Sequence, residues 1–380
     1  MTTVLSHQVD GPALHAFMIG VGYYRHLPGG SGPVLANPLG LKQVPTPPLS
    51  VRAVLDWLTG DYSHPNSPPL GSVELLMSVN GRYAYKGRHV ARATLPNAEL
   101  AFHRWIQRCD NNPGNVALFF FCGHGLERDH HYLLLEDFGR APQNPMSASI
   151  DLNGFHEGMT ACRADVQLFI ADACRQVPWD LIKTYGGLGN PLKPPSYSGR
   201  NTDRSASILS AAGEGRSAFG DHGQVTHFTQ AFLRALRGAG ASEDQQGSDE
   251  WLVRYNALVT AINRILRDDP PGGIQRQECS SDGPTRDVIL ARLSGPPLLT
   301  VRVDCLPPET ADFAILKLSS QLRDVTRSRQ PCPGPWREEE LPADYAYRLT
   351  AEYADERYPA WSRDVPVVPP LPRLPARVTP

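Results

Sequence analysis

The sequence lacks the features of a membrane protein or a nucleic-acid-binding protein. It has no run of about 18 apolar residues, and residues 1–12 contain no basic segment followed by an apolar stretch, so neither a membrane span nor a signal peptide is predicted. The 37 basic and 39 acidic residues give a net charge of −2, which leaves no broad basic face. We therefore expect a cytoplasmic protein that binds neither membrane nor nucleic acid.

The cysteines are not arranged for a zinc site or a disulfide framework. The chain has seven of them, an odd number, with no Cys-x-x-Cys pair, and several lie in apolar runs. Free thiols in a reducing compartment fit this pattern. We predict no metal and no cofactor. His124, His130 and His131 are a weaker metal-site alternative, because the polar run Glu127–His131 is more typical of a solvated turn.

What the sequence does contain is a regular alternation of buried strands and amphipathic helices. Hydrophobic residues make up 41% of the 380 positions, and 36 prolines and 33 glycines indicate long or numerous loops. Helix N-caps are predicted at Ser50 and Thr94, and Tyr132–Leu135 is predicted as a strand next to the main ones. The alternation predicts a mostly parallel sheet with helices on both faces; its apolar strands begin at Ala16, Val73, Val116, Val166 and Ala206.

The pattern changes after residue 295. Leu299–Val303 and Tyr345–Tyr353 alternate apolar and polar residues with period two, as half-buried strands do. We therefore predict two domains, residues 1–295 and a small β-rich module over residues 296–380. The proline-rich tail after Val365 is predicted to be extended or disordered.

Two of the apolar strands end in reactive side chains. Val166–Ala171 is followed by Asp172 and Cys174, and Val116–Cys122 is followed by His124. Parallel strands bring their carboxyl ends to one edge of a sheet, where ligands bind in α/β proteins. A thiol reacts as the thiolate and needs a base or charge partner. We therefore predict a nucleophile at Cys174 with His124 as its partner.

These two motifs carry a family resemblance. Gly123-His124-Gly125 and Asp172-Ala-Cys174-Arg175 resemble the His and Cys motifs of caspase-like cysteine peptidases, and the spacing of 50 residues between His124 and Cys174 matches that of caspases. Metacaspases and paracaspases, which carry Asp two residues before the Cys, are the most similar subgroup. The resemblance extends over roughly residues 14–293 and implies a caspase-like sandwich of a mostly parallel sheet with helices on both faces.

The resemblance also implies a mechanism. Cys174 would attack the scissile carbonyl, His124 would protonate the leaving amine, and the N–H groups of Gly125 and Cys174 would form the oxyanion hole. The segment 212–218 resembles the substrate-binding segment of the family, which makes Ser210, Ala211 and Glu214 candidate substrate contacts; an ordinary surface loop is the alternative.

Asp172 predicts the substrate preference. A carboxylate at this position repels an acidic substrate side chain and attracts a basic one, so we expect cleavage after Arg, or Lys. Metacaspases carry a second acidic residue in this pocket, but the corresponding stretch Leu41–Leu49 has none. The alternative is that Asp172 only caps a turn.

Regulation and partners are expected from the family alone. The polar stretch 176–205 carries basic residues at which the chain could be cut for activation: Lys183, Lys193, Arg200 and Arg204. The resemblance implies a protein substrate, an upstream activating protease or regulatory protein, and a bacterial cell-death or antiviral defence pathway, and it leaves calcium activation open. Two alternatives stay open, a catalytically silent caspase-like scaffold and an adaptor that acts through residues 296–380.

Overall fold

The computed structural model describes residues 1–176, 189, 192, 203–244, 250–268, 277–283, 286–353 and 358–377. The chain divides into two compact units, one of residues 1–233 and 266–288, the other of residues 234–265 and 289–380. This partition differs from the predicted division at residue 295, because a strand at Trp251–Arg254 pairs with a strand at Ile289–Leu293.

The strands and helices of the described residues can be numbered in chain order. The helices are α1 (Pro47–Gly60), α2 (Leu95–Cys109), α3 (Leu152–Gly158), α4 (His227–Arg234) and α5 (Tyr255–Asp268). The strands are β1 (Thr3–Ser6), β2 (Leu14–Val21), β3 (Leu70–Ser78), β4 (Ala84–Tyr85), β5 (Arg88–His89), β6 (Val116–Cys122), β7 (Gly125–Glu127), β8 (His131–Leu134), β9 (Ser149–Asp151), β10 (Val166–Asp172), β11 (Ser205–Ser210), β12 (Ala241–Glu243), β13 (Trp251–Arg254), β14 (Ser280–Asp282), β15 (Ile289–Leu293), β16 (Leu298–Leu306), β17 (Ala314–Ser320), β18 (Thr326–Arg329), β19 (Trp336–Pro342), β20 (Asp344–Tyr353), β21 (Trp361–Val367) and β22 (Arg373–Arg377).

A seven-stranded sheet organises the first unit, in the order β1-β3-β2-β6-β10-β11-β14. The five strands from β3 to β11 run parallel, and β1 and β14 pair antiparallel at the two edges. Strands β2, β6 and β10 are buried almost throughout, as continuous apolar strands with both faces covered must be. The predicted mostly parallel sheet is confirmed.

An aromatic cluster fixes the strands that lead to the predicted site. Phe119 of β6 and Phe169 of β10 both pack edge-on against Phe155 of α3, with ring centroids 5.1 Å apart in each pair. Trp105 of α2 adds a further edge-to-face contact to Phe155. Close-packed protein cores deform little. Strands β6 and β10 therefore hold the residues at their carboxyl ends in fixed positions.

The two predicted helix N-caps differ in the structure. The prediction of Ser50 as an N-cap is wrong, because α1 begins at Pro47 and Thr46 is its N-cap; proline is pre-organised for the first helical turn. Thr94 is the N-cap of α2, as predicted, but its side chain makes no capping bond. The Asp137 carboxylate accepts the Leu95 N–H instead, at 3.1 Å.

The region after His124 forms a separate small sheet, β7-β8-β9. The predicted strand Tyr132–Leu135 exists as β8, but it pairs with β7 and β9 and lies outside the main sheet. Leu126 and Gln176 form a parallel bridge, so β7 lies alongside the chain that follows the predicted nucleophile.

The second unit is β-rich, as predicted for the carboxyl-terminal region. Its sheets are β12-β13-β15, β19-β16-β22 and β18-β17-β20-β21. Burial alternates along β16 and β20, which matches the period-two pattern of their sequences. In the proline-rich tail, β22 pairs in parallel with β16, so this part of the tail is an ordered strand.

Candidate active site

The sheet register brings the predicted nucleophile and its partner to one edge. Strands β6 and β10 are adjacent and parallel, and Cys122 lies opposite Asp172. His124 and Cys174 each follow two residues later. The Gly123 N–H donates to the Asp172 carbonyl at 3.2 Å, so the two chains remain paired beyond the strand ends. The structure therefore brings His124 and Cys174 to neighbouring positions.

A backbone carbonyl fixes the tautomer of His124. Nε2 lies 2.6 Å from the Lys42 carbonyl oxygen. Because a carbonyl only accepts, Nε2 carries the hydrogen and Nδ1 keeps its lone pair. The Lys42 carbonyl could not be predicted as a partner of His124 from the sequence, because every residue type at position 42 has the same backbone carbonyl.

Tyr24 holds the His124 backbone and ring. Its hydroxyl accepts the His124 N–H at 2.7 Å, and the two rings are 4.9 Å apart between centroids. Tyr24 is fully buried. Nothing in the sequence shows that Tyr24 reaches a residue 100 positions away.

The Cys174 thiol faces the chain at Ala218. The Ala218 N–H donates to Sγ at 3.3 Å, and Sγ lies 3.6 Å from the Ala218 carbonyl oxygen. Burial raises the pKa of Cys174, against the effect of the Ala218 N–H. Burial also lowers the pKa of His124, against the effect of the Lys42 carbonyl. Both shifts favour a neutral thiol beside a neutral imidazole.

The N–H of Gly125, the predicted oxyanion donor, is not used in the β7–β8 ladder. The Leu134 N–H donates to the His124 carbonyl at 2.9 Å, so Gly125–Leu133 is the non-hydrogen-bonded pair of the ladder and the Gly125 N–H points away from β8. A Cβ at position 125 would lie 2.5 Å from the Cys174 carbonyl oxygen. Glycine is therefore the residue that lets these two backbones approach.

Asp172 is enclosed by hydroxyl groups. Thr226 and Thr229 both donate to Oδ2, the latter at 2.6 Å. Ser50, which the sequence suggested as a cap, accepts the Thr226 N–H at 3.0 Å and so supports this wall. Oδ1 is buried and has no nitrogen or oxygen donor among the described residues. Burial raises the pKa of Asp172, and hydrogen bonds from the two threonine hydroxyls and from the Cys122 thiol act in the opposite direction.

The family of the chain follows from its match to the caspase domain. A profile of that domain matches residues 73–289, more than half of the chain. The chain belongs to the caspase-domain family. The predicted caspase-like cysteine peptidase family and the predicted fold class are thereby confirmed.

Individual relatives show how far the similarity to other caspase-domain proteins extends. An uncharacterised protein of Sinorhizobium fredii is 31% identical over 284 residues, 67% of this chain and 79% of that protein. A probable protease of a Desulfuromonadales bacterium is 29% identical over 171 residues, 41% of this chain and 20% of that protein. The crystal structure of caspase-1 from Spodoptera frugiperda superposes with a TM-score of 0.41 and 13% identity, over 76% of this chain and 99% of that one.

The predicted substrate contacts of this caspase domain lie in different environments. Ser210 and Glu214 line one polar cavity of about 380 Å³, together with His131, Arg175, Ser280 and Asp282. The Glu214 side chain is 82% exposed. Ala211 is fully buried, with its carbonyl accepting from the Gln277 amide at 2.8 Å, so its side chain is not open to a substrate.

Arg175 is the central cation of that cavity. Its guanidinium makes a bidentate ion pair with Glu127, and Nη1 donates to Ser280 at 3.1 Å. These contacts connect the residue after Cys174 to β7 and to the sheet edge at β14.

The predicted activation sites separate into two groups. Lys183, Lys193 and Arg200 lie outside the described residues. Arg204 is described and buried, with its guanidinium donating to Gln167 and to the His156 carbonyl. A protease needs an accessible, extended chain, so the prediction of cleavage at Arg204 does not fit the folded state.

The two histidines after β7 have separate roles. His130 pairs with the Asp151 carboxylate at 2.9 Å, and the interpretation as a solvated turn fits its partly exposed position. His131 is buried and bonds the Cys174 carbonyl, so that interpretation is wrong for His131. Over the described ranges, no group of three or more His, Cys, Asp and Glu side chains is arranged to hold a metal ion.

Two further observations concern the whole described chain. All seven cysteines are free thiols, and Cys332 is the exposed one among them. Within the part of the chain that the structure describes, no helix combines the length and the apolar character needed to cross a bilayer.

Proposed function

We propose that the protein is a cysteine endopeptidase in which Cys174 is the nucleophile and His124 the general acid–base. The observation that carries this proposal is the hydrogen bond from His124 Nε2 to the Lys42 carbonyl, beside the paired ends of β6 and β10. This hydrogen bond leaves His124 Nδ1 as the proton acceptor, at the same sheet edge as the Cys174 thiol. A base oriented by a third group is the general arrangement for activating a thiol.

The proposed reaction has two stages. The thiol proton passes to His124 Nδ1 as Sγ attacks the scissile carbonyl, and the same proton then goes to the leaving amine as the C–N bond breaks. Water, deprotonated by His124, hydrolyses the resulting thioester and regenerates the thiol. The Gly125 and Cys174 N–H groups would hold the oxyanion; removing one such donor in a serine protease costs about 2.7–4 kcal/mol.

The proposed preference for Arg or Lys at the cleaved position rests on Asp172. Its Oδ1 is a buried acceptor with no nitrogen or oxygen donor among the residues described, and buried acceptors are normally paired. A guanidinium or ammonium group would supply that donor and would favour the ionised carboxylate. An acidic substrate side chain would meet like charge instead.

A peptide panel tests both parts of the proposal. Fluorogenic peptides with Arg, Lys or Asp at the cleaved position are assayed on wild type and on Cys174→Ala, with and without calcium. We expect cleavage after Arg and Lys that disappears in Cys174→Ala. A silent scaffold would cleave none of the peptides and would not be labelled at Cys174 by an Arg-based acyloxymethyl ketone.

We further propose that an upstream protease or the enzyme itself cuts the stretch 177–202 at Lys183, Lys193 or Arg200. A preference for basic residues supports this, because all three are basic. Mass spectrometry of fully active protein provides the test, and an intact chain throughout would contradict it. Deleting residues 296–380 separately tests the carboxyl-terminal β-rich module, which we propose recruits a partner: peptide cleavage should remain and recruitment should fail.

A further inference from the structure

His131 makes a contact with the nucleophile that the proposed mechanism does not use. The side chain is 2% exposed, and Nε2 lies 3.2 Å from the Cys174 carbonyl oxygen. Because that oxygen only accepts, Nε2 must carry the hydrogen and donate it. The side-chain oxygen of Asn153 accepts a hydrogen bond from the backbone N–H of His131 at 2.9 Å, which fixes the start of β8.

The peptide group that follows the nucleophile is held on both sides. His131 donates a hydrogen bond to the Cys174 carbonyl of this peptide group. The Arg175 N–H of the same peptide group donates to the Arg216 carbonyl at 2.9 Å. Gly125 lies against the same group, since a Cβ there would be 2.5 Å from the Cys174 oxygen and 2.7 Å from His131 Nε2. This peptide cannot rotate without breaking one of these contacts.

The chemistry of His131 excludes a role in proton transfer near neutral pH. Burial, with a further contribution from the Arg175 charge, lowers the pKa of His131 to about 3. The ring therefore stays neutral and acts as a fixed donor. Nδ1 is buried with no partner among the described residues, and a buried unsatisfied acceptor costs stability. A side chain chosen for stability alone would not leave that atom unpaired.

We propose that His131 is a positioning residue that fixes the peptide after Cys174 and so keeps the Cys174 and Gly125 N–H groups aligned for the oxyanion. The inference rests on the proposed peptidase function. The two donors belong to chains that meet at this contact, so a rotation at Cys174 would change their spacing. Oxyanion donors act only when they point at the position that the oxyanion will occupy.

The test compares two substitutions of similar shape. His131→Gln keeps an N–H donor near the position of Nε2, whereas His131→Met removes it. His130→Met is the matched control, because His130 is the neighbouring histidine and contacts Asp151 instead of the nucleophile. For each variant, kcat and KM are measured on an Arg peptide, together with the melting temperature and the rate of Cys174 alkylation by iodoacetamide.

We expect kcat of His131→Met to fall roughly 10- to 100-fold, less than the 10²–10³-fold caused by deleting an oxyanion donor outright. KM and the alkylation rate should stay near wild type, because neither needs the oxyanion hole. His131→Gln should recover most of kcat, and His130→Met should resemble wild type.

Equal kcat for His131→Met and wild type would overturn the inference and leave the peptidase function intact. So would equal losses in Met and Gln variants, or a parallel loss of alkylation, since these indicate a general structural role. If His131→Met does not fold, His131→Asn, whose shorter side chain draws the donor away from the carbonyl, replaces it. A wild type that cleaves none of the peptides would overturn both the function and the inference.

Discussion

Asp172→Asn removes a buried negative charge and keeps the shape of the side chain. If Asp172 binds a basic substrate side chain, the lost attraction can be calculated: two unit charges about 4 Å apart at an effective dielectric constant of about 20 interact by about 4 kcal/mol. Since each 1.4 kcal/mol is about tenfold in an equilibrium constant, kcat/KM for Arg peptides should fall by roughly 10²–10³-fold, with little change for a neutral peptide.

Asp172→Asn should increase the stability of the folded protein, although it lowers kcat/KM. Burial raises the pKa of Asp172 above its ordinary value of 3.8, so the folded state holds the proton to higher pH than the unfolded state does. Below the unfolded pKa, both states are protonated and the carboxylate costs nothing. As pH rises through the folded pKa, the free energy of unfolding of wild type falls, because ionisation of this carboxyl is more favourable in the unfolded state. Asp172→Asn has no carboxyl group at this position and loses no free energy of unfolding there. The stabilising effect of Asp172→Asn should therefore appear near neutral pH and vanish in acid.

Peptide kinetics and thermal melts at about pH 3.5 and about pH 7 measure these two effects. Asp221→Asn is the control, because that carboxylate is in the same unit and its side chain is 55% exposed. An Asp172→Asn enzyme that cleaves after Arg at the wild-type rate would refute the proposed substrate pocket. A stability gain that is the same at both pH values would refute the raised pKa.

Three further predictions concern the sheet edge at which His124 and Cys174 lie. Gly125→Ala places a Cβ 2.5 Å from the Cys174 oxygen, so we expect a loss of about 1–3 kcal/mol in thermal or denaturant unfolding and a strongly reduced kcat; unchanged values would contradict the close approach. Tyr24→Phe leaves the His124 N–H without its acceptor, which should lower stability by about 1–3 kcal/mol in the same melts, and an unchanged melting temperature would argue against that bond. In the free enzyme, alkylation of Cys174 followed against pH should show a midpoint above the ordinary thiol value of 9.0, because burial raises the pKa; a midpoint below neutrality would instead indicate a preformed ion pair.

The sequence was sufficient to predict the mostly parallel sheet and the neighbouring positions of His124 and Cys174, because both depend on local patterns. Val116–Cys122 is apolar throughout, and Val166–Asp172 is mostly apolar. Such runs are typical of strands that are buried on both faces of a sheet. Each is followed at the same offset by a reactive residue, so parallel pairing alone brings His124 and Cys174 together. The strand order and the register of the sheet were not predicted and come from the structure.

The supporting residues could not be found in the same way, because their contacts are distant in sequence or involve backbone atoms. Ser50 bonds Thr226 across 176 positions, whereas the sequence indicated only a helix N-cap at Ser50. Lys42 acts through its carbonyl. His131 sits in a polar run whose composition is that of a solvated turn, and its burial follows from the folding of β7 and β8 against the chain around Cys174.

These contacts also bear on when the proposed enzyme becomes reactive. The Lys42 carbonyl stabilises Nε2–H whatever the charge of the ring, whereas burial opposes both the imidazolium of His124 and the thiolate of Cys174. The Ala218 N–H, which favours the thiolate, is outweighed by burial. A separated ion pair is therefore disfavoured in the empty site. For the proposed peptidase, proton transfer from Sγ to Nδ1 should accompany attack on the substrate carbonyl, when negative charge can pass directly to the oxyanion donors.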